Sequence, residues 1–232
     1  MNTILEGAMK AFELLTSGNS DVFQVITMTL FVSLAATAIS VLLGLPLGLW
    51  LALVDFAGKQ TLTSLINFGM GLPPVVIGLF VSLFLWRSGP LGEFDLMYTP
   101  TAMIVAEAII AFPIVAGLSF AAIISINPKL SWRLLSMGAT QWQVNWLLIK
   151  EARLGLMAAV IAGFGRVISE VGASMMVGGN IKGQTRVLTT AIVLEVEKGN
   201  YDVAIAIAYI LLIITYTIIV LLTILQHDRK IL

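Results

Sequence analysis

Residues 127–153 read NPKLSWRLLSMGATQWQVNWLLIKEAR and form a polar segment between two long apolar stretches. The segment is too charged to cross a bilayer; its basic residues are Lys129, Arg133, Lys150 and Arg153. Its apolar residues recur at alternating steps of three and four, which predicts one stripe along a helix. The stripe consists of Trp132, Leu135, Ala139, Trp142, Trp146 and Ile149. Because Gly138 weakens a helix at mid-segment, we expect a short bent helix that docks against a partner at the cytoplasmic face of the membrane.

The composition indicates a polytopic membrane protein. Hydrophobic residues make up 59% of the 232 residues, charged residues make up only 11%, and the mean hydropathy is +1.00. Soluble domains carry about 25% charged residues, so one soluble core could not hide this much apolar surface. The lack of cysteine excludes disulfides, thiolate metal sites and cysteine nucleophiles. The formal net charge is zero, and no nucleic-acid partner is expected.

Five stretches are long and apolar enough to cross a bilayer, which takes about 20 residues. They cover residues 22–54, 62–86, 101–126, 154–178 and 203–225. The predicted fold is an all-α membrane bundle of about five transmembrane helices, formed by residues 22–232. Residues 1–21 contain Glu6 and Glu13 and lack a basic run before an apolar core. We therefore expect an interfacial amphipathic helix there rather than a cleaved signal peptide, and no appended domain after the fifth span.

The loops between the spans predict an orientation. Five spans place the two termini on opposite sides of the membrane, and basic residues favour the cytoplasm. One side then holds Lys59, Lys129, Arg133, Lys150, Arg153, Arg229 and Lys230. The other side holds Lys10, Arg87, Lys182, Arg186 and Lys198. This bias predicts an N-terminus outside the cell, a cytoplasmic C-terminus and a cytoplasmic polar segment.

Three ionisable residues lie within the predicted spans: Glu107, Arg166 and Glu170. A charge at mid-bilayer is costly unless it is paired or faces water. Arg166 and Glu170 are four residues apart, which places them on one helix face within pairing reach. Two interpretations remain open for this pair: a structural ion pair that fixes helix packing, or a face that lines a gated, water-accessible pathway. For Glu107 helix packing is favoured over a proton relay.

The stretch after the fourth predicted span is rich in hydrogen-bond donors. These are Asn180, Lys182, Gln184, Thr185, Arg186, Thr189 and Thr190. A cluster of donors suits an oxyanion, but an ordinary solvated loop has the same composition, and both interpretations remain open. Residues 188–196 could form a re-entrant or surface helix.

Catalytic chemistry has little support in the sequence. No Walker motif, nucleophile elbow or HExxH motif occurs. The single histidine, His227, lies in the polar tail, and the methionines show no metal-ligand spacing. An intramembrane enzyme would need a Ser-His pair or two aspartates in facing spans. We therefore expect neither a catalytic site nor a metal site on this chain.

The polar segment resembles the signature cytoplasmic loop of ABC importer permeases. Gly138 and the apolar pair Leu148-Ile149, about ten residues later, follow the family spacing. Two parts of the motif differ: Trp132-Arg133-Leu134 stands in place of an acidic-Ala-Ala triplet, and Lys150-Glu151 in place of Leu-Pro.

Four other stretches extend the resemblance over nearly the whole chain after residue 22. Residues 27–48 resemble the first core span of the family, and residues 70–76 resemble the Pro-Pro-Val start of the next. Residues 164–173, FGRVISEVGA, resemble the fourth-span signature of the molybdate, tungstate and sulfate group. Residues 188–192 and 199–201 look most like tungstate permeases.

The resemblance implies a type I ABC importer permease fold in the plasma membrane of a prokaryote. It implies a pathway formed by two copies of the chain, a cytoplasmic ABC ATPase dimer that holds ATP and Mg, and an extracytoplasmic oxyanion-binding protein. This chain would hold no cofactor, would lie in membrane lipid, and would move a tetrahedral oxyanion, tungstate before molybdate, into the cytoplasm. The alternatives are a permease for sulfate, phosphate or an amino acid, and a non-transporting membrane scaffold.

The resemblance and the charge pattern together define three sets of candidate residues. Those expected to couple to the ATPase are Trp132, Arg133, Leu135, Gly138, Ala139, Thr140 and Trp142. Those expected to line the pathway or its gate are Arg166, Ser169, Glu170, Gly172 and Ala173. Those expected to contact the anion or its binding protein at the outer face are Asn180, Lys182, Arg186 and Thr189.

Overall fold

The structure, a computed structural model, describes residues 2–16, 18 and 20–227. Its helices are α1 (Asn2–Thr16), α2 (Ser20–Leu53), α3 (Lys59–Met70), α4 (Pro74–Leu85), α5 (Pro100–Ile124), α6 (Pro128–Ser136), α7 (Gln141–Glu151), α8 (Arg153–Ile168), α9 (Gly172–Gly178), α10 (Leu188–Glu197) and α11 (Tyr201–His227). A 3₁₀ turn, Gly92–Phe94, precedes α5. The described residues contain no strand, which confirms the all-α fold. Arg229 and Lys230, assigned above to the cytoplasmic side, lie outside the described residues, as does the end of the tail that follows His227.

Three helices, α2, α5 and α11, are each long and apolar enough to cross a bilayer. Two further helix pairs reach that length only together, and both are bent: α3 and α4 meet at 99°, and α8 and α9 at 57°. The predicted spans 62–86 and 154–178 are therefore broken helices rather than straight ones. The first break has a local cause, because Pro73 and Pro74 lack the N–H groups that would continue α3 and disfavour helical geometry before them.

Helix α5 lies at the centre of the bundle and packs against α2, α3, α4, α8 and α9. Its contact with α2 requires glycine, because a Cβ on Gly48 would lie 2.4 Å from the Ala116 carbonyl oxygen. Ser40 Oγ crosses the same interface and donates a hydrogen bond of 3.1 Å to the Ala108 carbonyl. Small residues of this kind let membrane helices approach closely. The α2–α5 pair is thus closely packed.

Helix α1 packs along the first turns of α11. A Cβ on Gly7 would lie 2.4 Å from Ile205 Cγ2, and Lys10 forms an ion pair with Asp202. Phe12, on the outer side of α1, is largely exposed. The N-terminal segment therefore contains a helix with one face on α11 and apolar residues on the other side.

We expect Gly48→Val to disrupt the α2–α5 interface, because the larger side chain cannot fit beside the Ala116 carbonyl oxygen. Overpacking of this kind costs about 1–3 kcal/mol or more. The thermal unfolding midpoint of the detergent-purified protein should fall. Gly165→Ala is the matched control, because no atom beyond its own helix lies within 4 Å of the added Cβ. Equal midpoints for the two variants would contradict the expectation.

Candidate functional site

The polar segment folds into two helices, α6 and α7, joined by a turn. Asn127 caps α6 by accepting a hydrogen bond of 2.9 Å from the Lys129 N–H, and Pro128 occupies the first helical position. Gly138 has a φ of +86°, which favours glycine, and nothing lies within 4 Å of the position its Cβ would take. The bend expected at Gly138 is therefore a complete break between two helices.

Two of the predicted coupling residues shape this turn. Thr140 starts α7 with a capping box: its Oγ1 accepts a hydrogen bond from the Gln143 N–H at 3.4 Å, and Gln143 Oε1 accepts one from the Thr140 N–H at 2.8 Å. Ala139 is half-buried, and its N–H donates to the Leu134 carbonyl at 3.1 Å. Their observed contacts are therefore within the polar segment itself.

The apolar stripe predicted along the polar segment is divided between α6 and α7, and its tryptophans face outward. Trp132 and Trp142 are 74% and 78% exposed. Val144 and Leu148, which lie outside the predicted stripe, are buried instead. Trp142 and Trp146 share one exposed face of α7, and Val144 and Leu148 lie on its opposite, buried face. The segment presents exposed tryptophans on two short helices, and Leu135 is exposed with them.

The polar segment is joined closely to the bundle. A cleft of about 530 Å³ lies between α6 and the adjoining ends of α5 and α8, and its charged lining residues are Lys129, Arg133 and Glu151. Helix α7 ends at Glu151 and α8 begins at Arg153, so that only the buried Ala152 separates them. Helices α7 and α8 are therefore nearly continuous along the chain.

A helix break at residues 169–171 separates α8 from α9. Arg166 Nη2 lies 3.8 Å from Glu170 Oε2, so the two residues are within pairing reach, as expected, but across the end of α8 rather than along one helix face. Glu170 is buried, and its Oε1 accepts a hydrogen bond of 3.2 Å from the Ala173 N–H. The Arg166 side chain is 39% exposed. The carboxylate is thus held in place while the guanidinium stays accessible.

The other predicted pathway residues lie at the same break. Ser169 is exposed, and its Oγ donates to a backbone carbonyl one turn earlier at 2.8 Å. A Cβ on Gly172 would lie 2.7 Å from Val75 Cγ2, and a Cβ on Gly78 would lie 2.7 Å from Ala173 Cα. The structure therefore brings all five predicted residues together, with α4 packed against one side of them.

Glu107 of α5 lies beside α9. It is 3% exposed, and its Oε1 accepts a hydrogen bond from Ser174 Oγ. Its Oε2 has no hydrogen-bond partner in the described part of the chain. The packing role expected for Glu107 agrees with this contact. Ser174 was not predicted, because a serine in an apolar helix gives no signal until the carboxyl opposite it is known.

The donors in the α9–α10 loop bind the protein itself. Arg186 donates through Nε to Asn180 Oδ1 at 3.1 Å and through Nη2 to the Asn180 carbonyl at 3.2 Å. Thr190 Oγ1 donates to the same Asn180 Oδ1 at 3.0 Å. Lys182 forms an ion pair with Asp21. Arg186 and Thr190 thus form hydrogen bonds within the protein, while residues 181–184 of the same loop are exposed.

Backbone groups freed at the two ends of α9 also find partners. Thr189, expected at the outer face, is buried, and its Oγ1 donates to the Glu170 carbonyl at 2.9 Å. Tyr98 donates its N–H to the Val177 carbonyl at 2.9 Å and has a φ of +62°. A positive φ at tyrosine is rare and marks a strained position that the surrounding structure imposes. No sequence signal points to it.

Acidic side chains near α10 are paired locally. Helix α10 covers the stretch for which a re-entrant or surface helix was expected. The pKa of Glu195 lies below its usual range because Lys198 Nζ, at 2.7 Å, and Asn200 donate hydrogen bonds to its carboxylate.

Across residues 2–16, 18 and 20–227, no three His, Cys, Asp or Glu side chains converge as the ligands of a metal ion would.

Comparison with known sequences identifies relatives over most of the chain. The family model described as "Binding-protein-dependent transport system inner membrane component" matches residues 44–228. The tungstate uptake system permease protein TupB of Peptoclostridium acidaminophilum is 40% identical over 98% of this chain and 100% of its own length. A probable anion ABC transporter permease protein of Haloferax volcanii is 45% identical over 82% of this chain and 84% of its own.

Comparison with solved structures gives the same fold. A bacterial ABC transporter involved in import of the acidic polysaccharide alginate matches with a TM-score of 0.72 at 20% identity, over 96% of this chain and 84% of that one. The MetNI methionine ABC transporter matches with a TM-score of 0.65 at 20% identity, over 90% and 93%. These likenesses show a type I ABC importer permease fold and nothing about the substrate. With most of its length matched, the chain belongs to the family of binding-protein-dependent transport system inner membrane components.

Proposed function

We propose that this chain is the permease subunit of an ABC importer that moves a tetrahedral oxyanion, tungstate before molybdate, into the cytoplasm. The observation that carries the proposal is the 40% identity to a tungstate permease over 98% of this chain. ATP would be hydrolysed on a separate ABC ATPase with bound Mg, and this chain would take no catalytic part. The exposed guanidinium of Arg166, inside a predicted span, supports an anion as the cargo.

The polar segment would couple the chain to the ATPase. Trp132, Met137 and Trp142 expose large apolar side chains on short helices at one end of the bundle. Burial of apolar area stabilises a complex by roughly 25 cal/mol per Å², so a groove in the ATPase is a fitting partner for them. Arg133 would lie near an acidic rim of that groove. Since α7 leads into α8 through one residue, a movement of the ATPase would reach the helix break.

The helix break would act as the gate. The guanidinium of Arg166 offers a passing oxyanion charge-assisted hydrogen bonds. Glu170 competes for the same guanidinium at 3.8 Å and is itself held by the Ala173 N–H. An anion would therefore find a partner at the break without binding tightly, which suits a pathway that must release its cargo.

For the membrane we propose the arrangement that the charge bias predicts. We place residues 1–21 at the outer interface, residues 22–232 in the membrane domain, the N-terminus outside and the C-terminus in the cytoplasm. Gln226 Nε2 donates to the Leu154 carbonyl at 2.8 Å, which supports a common side for the end of α11 and the polar segment. Two copies would form the pathway, and an extracytoplasmic binding protein would deliver the anion at the opposite face.

We expect Trp142→Asp to weaken docking of the ATPase, because it places a charge where an apolar side chain would be buried. Gly138→Pro should act in the same direction, since proline cannot adopt a positive φ. The measurement is co-purification of the ATPase with the tagged permease, together with anion uptake in proteoliposomes.

Trp86→Asp is the matched control for the docking prediction. Trp86 is also exposed, but it lies in the α4–α5 connection, away from the polar segment. Its variant should retain the ATPase. Unchanged co-purification with Trp142→Asp would show that the polar segment does not dock there.

We expect Arg166→Ala to lower tungstate uptake by the reconstituted complex about tenfold or more, as the loss of a charge-assisted hydrogen bond of about 1.5 kcal/mol would give. ATP-dependent uptake of labelled tungstate is measured with molybdate, sulfate, phosphate and methionine as competitors. Arg87→Ala, an exposed arginine outside the break, is the control. Competition by methionine but not by oxyanions would refute the proposed cargo.

A further inference from the structure

Glu107 is an unusual group for the wall of an anion pathway. It is 3% exposed, it lies about two turns into α5, a helix long and apolar enough to cross a bilayer, and its Oε2 has no hydrogen-bond partner among the described residues. The ion pairs in the described part of the chain do not include it, so no cation lies within 4.0 Å of its carboxyl. The proposed gate as described above makes no use of it.

Burial and charge favour one form of this side chain. An isolated carboxylate without water or a cation is so costly that such groups take up a proton instead. Glu170, on the adjoining helix break, already contributes a negative charge that Arg166 offsets. A second carboxylate at this depth would be opposed both by desolvation and by that neighbour. The neutral acid, hydrogen-bonded to Ser174, meets neither penalty.

The contact also has a mechanical consequence. Helix α9 has only seven residues, too few to hold its position by helix formation alone. Its ends are tied through the Glu170 and Val177 carbonyls to Thr189 and Tyr98. Between those ends, the Glu107–Ser174 hydrogen bond joins α9 to α5, the central helix of the bundle.

We propose that Glu107, as an uncharged carboxylic acid bonded to Ser174, is the positioning residue that anchors α9 to α5 and so fixes the helix break that gates the anion. The inference rests on the proposed function. Its consequence for cargo is electrostatic: with Arg166 positive, Glu170 negative and Glu107 neutral, the charges at the break sum to zero. An ionised Glu107 would make the same wall repel an oxyanion.

The test compares Glu107→Gln with Glu107→Leu in the reconstituted complex. Glutamine mimics the neutral acid and can bond to Ser174, whereas leucine keeps the volume and removes the hydrogen bond. Ser174→Ala removes the partner, and the double variant Glu107→Leu with Ser174→Ala completes the cycle. The measurements are tungstate uptake, the ATP hydrolysed per anion transported, and the yield and melting temperature of the purified complex.

Glu107→Gln should keep uptake within about twofold of the wild type, whereas Glu107→Leu and Ser174→Ala should each lower it about tenfold, the ratio that 1.4 kcal/mol gives. Both should raise the ATP hydrolysed per anion, and the double variant should lose no more than the worse single one. Glu13→Gln and Glu13→Leu, at an exposed glutamate of α1, are the matched controls and should leave uptake unchanged.

Three results would overturn the inference. If Glu107→Gln fails as badly as Glu107→Leu, the ionised carboxylate is needed. If Glu107→Leu transports as the wild type does, the residue positions nothing, and additive losses in the double variant would remove Ser174 as the link. If the Glu107→Leu complex does not assemble, the other two single variants still test the inference. It requires that Glu107→Gln transports nearly as the wild type does and that Ser174→Ala does not. A wild-type complex that takes up no tungstate would instead refute the proposed function.

Discussion

The structure depends on the rule that backbone groups in a bilayer must find partners within the protein. Between α8 and α9 the helical hydrogen bonds are interrupted, because the chain bends there by 57°. The carbonyls freed at the break are taken up by side chains from elsewhere, such as the Thr189 hydroxyl on the Glu170 carbonyl. Non-helical backbone at this depth is tolerated only where it is buried in protein or lines a cavity. The buried side chains of Glu170 and Thr189 meet this condition at the break.

The long helices were predictable because composition alone defines them: α2, α5 and α11 are apolar along nearly their whole lengths. The proline pair that ends α3 was visible too, but the 99° bend was not, since packing on α5 sets that angle. The apolar stripe of the polar segment was predictable only in part. Spacing groups Trp142 and Trp146 on one face of a helix, but it does not show that Gly138 divides the stripe between two helices or that Val144 on the opposite face is the buried one.

The candidate site shows a second limit of sequence reasoning. Arg166 and Glu170 stood out because charges are rare in apolar spans, and their spacing was enough to pair them. The donors after α9 also stood out, but their partners depend on contacts that spacing does not reveal. Arg186 donates hydrogen bonds to Asn180. In a loop without such contacts, its guanidinium would be available to solvent or to an anion. The same polar residue types can bind an anion or bind each other. Only the distances between their side chains in the fold distinguish the two roles.

The junction of α7 and α8 gives the fold the geometry of a lever. Helix α8 has 16 residues, roughly 24 Å at about 1.5 Å per residue, so a tilt of about 5° at its first turn would swing its last turn by about 2 Å. If the polar segment couples to an ATPase as proposed, a small rotation there would move the helix break by that distance, with no refolding of either helix.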